Sequence, residues 1–186
     1  MKTIFKKIKN NTFTLAIDVI DTKLNHQLKP PENLKNENKI IEWVNSRQLI
    51  KNIWPDLILS YNKYGAPQTQ KEAISISHTK KYVSVIVSEK KASIDIEKIQ
   101  SKILKISPKF MNDMELIKFS SEINATICWC AKECMFKLFQ KGKIDFKKDL
   151  KVKSIEKDLV TCSLFNQNLQ LNYKIFDNHV LVYYYD

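Results

Sequence analysis

Apolar residues recur along this chain with two different periods, and the changes of period mark its elements. Thr12 to Ile20 alternates as a strand, and a polar connection with Pro30-Pro31 runs from Asp21 to Glu37. Over Asn38 to Trp54, Ile40, Ile41, Val44, Leu49, Ile50 and Ile53 form a helical stripe that Pro55 stops. Tyr61 to Gln70, with Tyr64-Gly65-Ala66-Pro67, carries turn chemistry. Short strands are expected over Ala73 to Ser77, Tyr82 to Ser88 and Ala92 to Glu97. The polar Glu89-Lys90-Lys91 step predicts a hairpin between the last two. Ile99 to Phe119 reads as helix broken at Pro108. Ser121 to Gln140 is the strongest helix, with Ile123, Ile127, Ala131, Met135 and Leu138 as its apolar face. From Leu150 the period returns to two. Four segments (Leu150 to Ile155, Leu159 to Phe165, Leu169 to Phe176, Val180 to Tyr185) predict an antiparallel meander, its edge guarded by the lysines of its first strand. Strand, helix and strands, followed by helix and strands again, define an α+β class with two halves.

The polar positions inside these elements hold the chemistry. In Ser93-Ile94-Asp95-Ile96-Glu97 a strand sends Asp95 and Glu97 to one face and Ile94 and Ile96 to the core. Two carboxylates on one strand face repel unless a cation or solvent separates them. A third, Glu133, lies in Trp129-Cys130-Ala131-Lys132-Glu133-Cys134-Met135-Phe136-Lys137. Three carboxylates suit Mg²⁺, which completes its shell with water and substrate phosphates. Glu133 and Lys137, four apart on a helix, are equally readable as a surface ion pair of about 0.3–0.5 kcal/mol. Ser77-His78 closes a strand, where the imidazole is free for a ligand or for an ordinary structural bond. Arg47 offers a planar fork suited to phosphate, or a solvated helix face.

Composition narrows the classes. Gly65 and Gly142 are the only glycines, so a Gly-rich phosphate loop is excluded, and no nucleotide-binding fingerprint appears. The first nine residues, Met1 to Lys9, have no uninterrupted apolar core, and no apolar run approaches a membrane span; a cytoplasmic protein is expected. Cys128, Cys130 and Cys134 crowd one helix at spacings that build no tetrahedral site, while Cys162, His26, His78 and His179 are scattered. Reduced, partly buried thiols are expected. The net charge of +11 attracts an acidic partner without choosing among nucleic acid, membrane and protein.

The segment Ser75-Ile76-Ser77-His78, the strand Ile94-Asp95-Ile96-Glu97 and the helix Trp129 to Lys137, in that order, resemble the 4'-phosphopantetheinyl transferase superfamily. The larger single-chain, pseudodimeric type known from surfactin synthesis is the nearer match. The resemblance covers Asn38 to Leu150 well and the two ends by layout. It implies two similar halves, 1–91 and 92–186, related by a pseudo-twofold with the active site between them, and hence a monomer.

The implied activity is Mg²⁺-dependent transfer of phosphopantetheine from coenzyme A to a serine of an acidic apo acyl or peptidyl carrier protein, with no nucleic-acid or membrane partner. Asp95, Glu97 and Glu133 are the implied metal ligands, with Glu133 also a candidate base. Lys132 and Lys137 would contact coenzyme A phosphates, Lys137 facing the leaving nucleotide. Ser77, His78 and Arg47 would hold the 3'-phosphate. Lys109 to Glu115 matches a family stretch in which Phe110 belongs to the carrier and pantetheine side. Glu115 would be a water-mediated ligand or second base, or else cap a helix with Asn112. Ser93 and Ala66 stand where the family has Gly and Lys, so weaker coenzyme A binding is expected. A Mg²⁺-dependent nuclease and a non-catalytic binder of coenzyme A or carrier domain are the rival readings.

Overall fold

The computed structural model describes residues 3–9, 13–23 and 28–186. Met1, Thr12 and His26 of the sequence reading lie outside them. The elements in chain order are β1 (Thr3–Lys9), β2 (Phe13–Val19), α1 (Glu37–Ile53), β3 (Ser60–Tyr61), β4 (Pro67–Gln68), β5 (Ala73–His78), β6 (Tyr82–Ser88) and β7 (Ala92–Lys98). Next come α2 (Lys102–Ile106), a 3₁₀ turn over Ser107–Lys109, α3 (Asp113–Lys118) and α4 (Glu122–Phe139). Strands β8 (Leu150–Glu156), β9 (Leu159–Leu164), β10 (Gln167–Phe176) and β11 (His179–Tyr185) complete the chain.

This is a mixed α+β protein built on two main antiparallel sheets, ordered β1-β2-β6-β5 and β7-β11-β10-β9-β8. Alternation along the strands explains how they stack. Val83, Val85 and Val87 of β6 pack with Leu49 and Ile50 of α1, whereas Tyr82 and Ile86 turn to the opposite face. There they meet Phe13, Leu15 and Ile17 of β2 together with Ile94, Ile96, Leu181 and Tyr183 from the second sheet. Val180 and Val182, on the other face of β11, pack against Ile127, Ala131 and Met135 of α4. The order of layers is therefore helix, sheet, sheet, helix.

The second sheet contains the expected meander β8-β9-β10-β11, and Lys151 and Lys153 are exposed on its edge strand. Ile127, Ala131 and Met135 of the expected helical face are buried, while Ile123 in the first turn is exposed. The expected hairpin between Tyr82–Ser88 and Ala92–Glu97 does not form. β6 is paired on both sides, by β2 and β5, and β7 pairs instead with β11. A strand buried on both faces and both edges leaves no edge for its sequence neighbour. Strand β1, which the sequence reading passes over, pairs with β2. Among the described residues no helix is long and apolar enough to cross a membrane.

Candidate active site

Strands β5 and β7 are edges of different sheets that run side by side, and no backbone ladder joins them. Unpaired strand edges need other partners, and here side chains supply them. The Ile94 amide donates to Ser75 Oγ at 3.1 Å and the Ile96 amide to Ser77 Oγ at 3.3 Å. From α4, Lys137 Nζ donates to the Ile94 carbonyl at 2.8 Å and the Ile76 carbonyl at 3.4 Å, one on each strand.

The carboxylates gather on this seam. Asp95 is 4% exposed, and its Oδ1 accepts from Lys137 Nζ and from Ser77 Oγ, each at 2.8 Å. Its Oδ2 is buried, and the Cys130 thiol lies within hydrogen-bonding reach of the carboxylate. Two residues on, Glu97 Oε1 accepts from the Trp129 indole at 3.2 Å. Burial, reinforced by the charge of Asp95, pushes Glu97 up to about 6 and Glu133 up to about 7. Lys137 is held above its ordinary range: burial works against its charge, and neighbouring Asp95 outweighs it. Strand and helix thus bring Asp95, Glu97, Glu133 and Lys137 into one electrostatically coupled group.

That group has the donor chemistry of a hard divalent cation site. It offers three carboxylates and a mutual repulsion that a cation would relieve. Among the described residues no three His, Cys, Asp or Glu side chains already converge as a formed metal-binding cluster. All four cysteines are free and buried.

Around the seam lie three adjoining cavities. The first, about 280 Å³, is lined by Lys39, Glu42, Trp43, Arg47, Tyr61 and His78 among others. Its floor residues Pro67 and Ile76 are shared with a second of about 550 Å³, which Tyr64, Phe136 and Lys137 help to line. Gly142 has a φ of +98°, and a Cβ there would come within 3.3 Å of the Tyr64 ring. That ring therefore packs on bare backbone as one wall. Lys143 is common to the second cavity and a third of about 1000 Å³, lined by Lys102, Lys109, Phe110, Trp129 and Phe146. A row of adjoining cavities accordingly forms a cleft from Arg47 past Lys137 to Trp129. Lys137 lines it, whereas Asp95, Glu97 and Glu133 are not among its lining residues, and Glu97 meets it through its bond with Trp129. Another cavity, of about 630 Å³ beside Trp54 and Glu72, includes none of these site residues.

In the first cavity, Arg47 stacks over the Trp43 ring at 4.8 Å and donates to Ser46 Oγ and to the Tyr61 hydroxyl. Burial lowers its guanidinium to about 10. His78 Nε2 lies 3.3 Å from Glu42 Oε2, which Lys39 also contacts at 2.7 Å. Burial holds His78 below the usual histidine range despite Glu42. Glu42, Lys39 and Tyr61 are members of this cavity that sequence reasoning missed. Lys39 and Glu42, on the same helix as Arg47, were the available signal.

Three expected site residues are placed elsewhere or otherwise engaged. Lys132 is fully buried, and its Nζ meets Glu115 Oε2 at 2.7 Å and the carbonyls of Phe110, Phe146 and Leu150 at 2.7–2.9 Å. With every proton committed inside the core, it is not a phosphate contact. Glu115 takes the capping role: Oε2 also accepts from the Asn112 amide at 2.9 Å, and Oε1 from the Val152 amide at 2.7 Å. Both its oxygens are engaged inside the core, as the capping alternative expects. Ser77 spends its hydroxyl proton on Asp95, on the carboxylate side of the seam, rather than in the Arg47 cavity.

No protein-family model matches the chain, and no curated protein is significantly similar to it.

Proposed function

We propose that the protein is a 4'-phosphopantetheinyl transferase, moving the phosphopantetheine arm of coenzyme A to a serine hydroxyl of an apo acyl or peptidyl carrier protein. The observation that carries this reading is the coupled group Asp95, Glu97, Glu133 and Lys137, of which Lys137 lines the second of three adjoining cavities, between one that holds Arg47 and Lys39 and one that holds lysines together with Phe110, Trp129 and Phe146. A long ligand with phosphate at one end, pyrophosphate in the middle and an apolar arm at the other fits that order. The outer helix carried by each of the two sheets supports related halves, 1–91 and 92–186.

In this reading Arg47, His78 and Lys39 take the 3'-phosphate, and the aromatic rings of Phe110, Trp129 and Phe146 receive the arm and the incoming carrier. Asp95, Glu97 and Glu133 would hold Mg²⁺, which when bound supplies positive charge to the pyrophosphate oxygens. The carrier's serine oxygen forms a bond to the β-phosphorus while the bond to the nucleotide oxygen breaks, releasing 3',5'-ADP. Glu133, beside the same pyrophosphate, takes the hydroxyl proton. Lys137, held by two backbone carbonyls and by Asp95 Oδ1, would supply fixed positive charge beside the second cavity rather than a free proton donor. Release of 3',5'-ADP only when apo carrier and Mg²⁺ are both present tests the assignment. Cleavage of DNA or RNA strands instead would favour a nuclease.

A further inference from the structure

Ser75 and Ser77 sit two apart on β5 and make the same bond to β7, each accepting a backbone amide across the seam. Only Ser77 makes a second one, donating to Asp95 Oδ1 at 2.8 Å. A serine hydroxyl has one proton to give, so this bond commits it. Lys137 donates to the same oxygen, and the fully buried Cys130 thiol also lies against the Asp95 carboxylate. Both Ser77 and Asp95 are buried, at 8% and 4% exposure, so the pair exchanges few bonds with water.

We infer that Ser77 is a positioning residue for Asp95: its hydroxyl, reaching across from the other sheet, fixes the orientation in which the carboxylate would meet a divalent cation. The inference rests on the transferase reading and reassigns Ser77 from the nucleotide end of the cleft to its metal centre. Hydrogen-bond partners of a ligating carboxylate set its orientation, and losing one typically weakens metal binding about 10- to 100-fold. Strand β5 in this way controls a ligand carried by β7, and the two sheets meet functionally as well as structurally.

The test uses the full chain and Mn²⁺ as the probe, titrated calorimetrically into wild type, Ser77→Ala, Ser77→Thr and Ser75→Ala. Thermal unfolding of the metal-free proteins and coenzyme A binding in EDTA are measured alongside. Both alanine variants should lower Tm, since Ser75→Ala removes one bond across the seam and Ser77→Ala removes two. Only Ser77→Ala should weaken Mn²⁺ binding, by about 10-fold or more. Ser77→Thr should restore it, and coenzyme A affinity in EDTA should be unchanged. Equal Mn²⁺ affinity in Ser77→Ala and Ser75→Ala overturns the inference alone, as does loss of coenzyme A binding in Ser77→Ala with Mn²⁺ affinity intact. A wild-type protein whose Mn²⁺ affinity is unaffected by Asp95→Asn overturns the transferase reading and this inference together.

Discussion

Lys132 and Glu115 meet at 2.7 Å in the core of the α4 layer, with side chains 0% and 3% exposed. Three carbonyl oxygens take the remaining contacts of the ammonium, and two amides those of the carboxylate. The pair ties α4 to the start of α3 and to β8. Breaking a buried pair from one side leaves an uncompensated charge, so Lys132→Ala should cost about 3–5 kcal/mol in urea unfolding. Lys132→Met with Glu115→Gln should cost less than the single change. Any Lys132 variant that folds should bind coenzyme A with unaltered affinity, because the side chain does not reach the cleft.

The cleft carboxylates make metal-free stability depend on pH. Glu133 is pushed up to about 7 by burial and by Asp95, from an ordinary 4.5, so the folded protein keeps a proton that the unfolded chain releases. The stability that proton confers is complete below about pH 4.5 and is lost as pH rises towards 7. Unfolding scans in EDTA should show this decline, and Glu133→Gln should reduce it to the smaller part that Glu97, pushed up to about 6, contributes. Mg²⁺ competes with the protons, so its apparent affinity should rise from pH 6 to 7.5. An affinity flat across that range would contradict the assignment of Glu133.

At the nucleotide end, Glu42 faces the same space as Arg47 and His78. Removing its charge should strengthen phosphate binding, so Glu42→Gln is expected to tighten coenzyme A several-fold. Arg47→Ala should do the reverse, weakening it by roughly 10-fold or more, as befits a charge-assisted contact of about 1.5–3 kcal/mol. Binding of 3'-dephospho-coenzyme A should be nearly indifferent to both changes. Calorimetry with the two ligands checks the pair of effects.

Carrier proteins are acidic, and the chain carries a net charge of +11. Steering between opposite charges raises association rates at low ionic strength and is screened by salt. Stopped-flow association with an apo carrier should slow about 10-fold or more between low salt and about 0.5 M. An on-rate insensitive to ionic strength would remove this role for the basic surface.

Much of the site was legible where one element decides the outcome. The alternation of Asp95 and Glu97 with Ile94 and Ile96 is a property of a single strand, and it sends the carboxylates towards α4 and the isoleucines between the sheets. What escaped depends on distant chain. The Glu89-Lys90-Lys91 step carries a hairpin signal, yet β7 pairs with the C-terminal strand β11, which no local pattern announces. Lysine in a helix reads as surface. Lys132 is buried because acceptors at Phe110, Glu115, Phe146 and Leu150 converge on it from three separate segments. Ser77 next to His78 reads as one motif, but successive strand residues face opposite ways, and the two serve different ends of the cleft.

The most direct measurement is the intact mass of an apo acyl carrier protein after incubation with this protein, coenzyme A and Mg²⁺. The account expects a gain of one phosphopantetheinyl group, abolished by EDTA and by Asp95→Ala. Glu133→Gln should slow it by about 10²–10³-fold, the usual cost of one preorganised contact. No gain on acyl and peptidyl carriers alike, by a protein that binds coenzyme A and Mg²⁺, would contradict it.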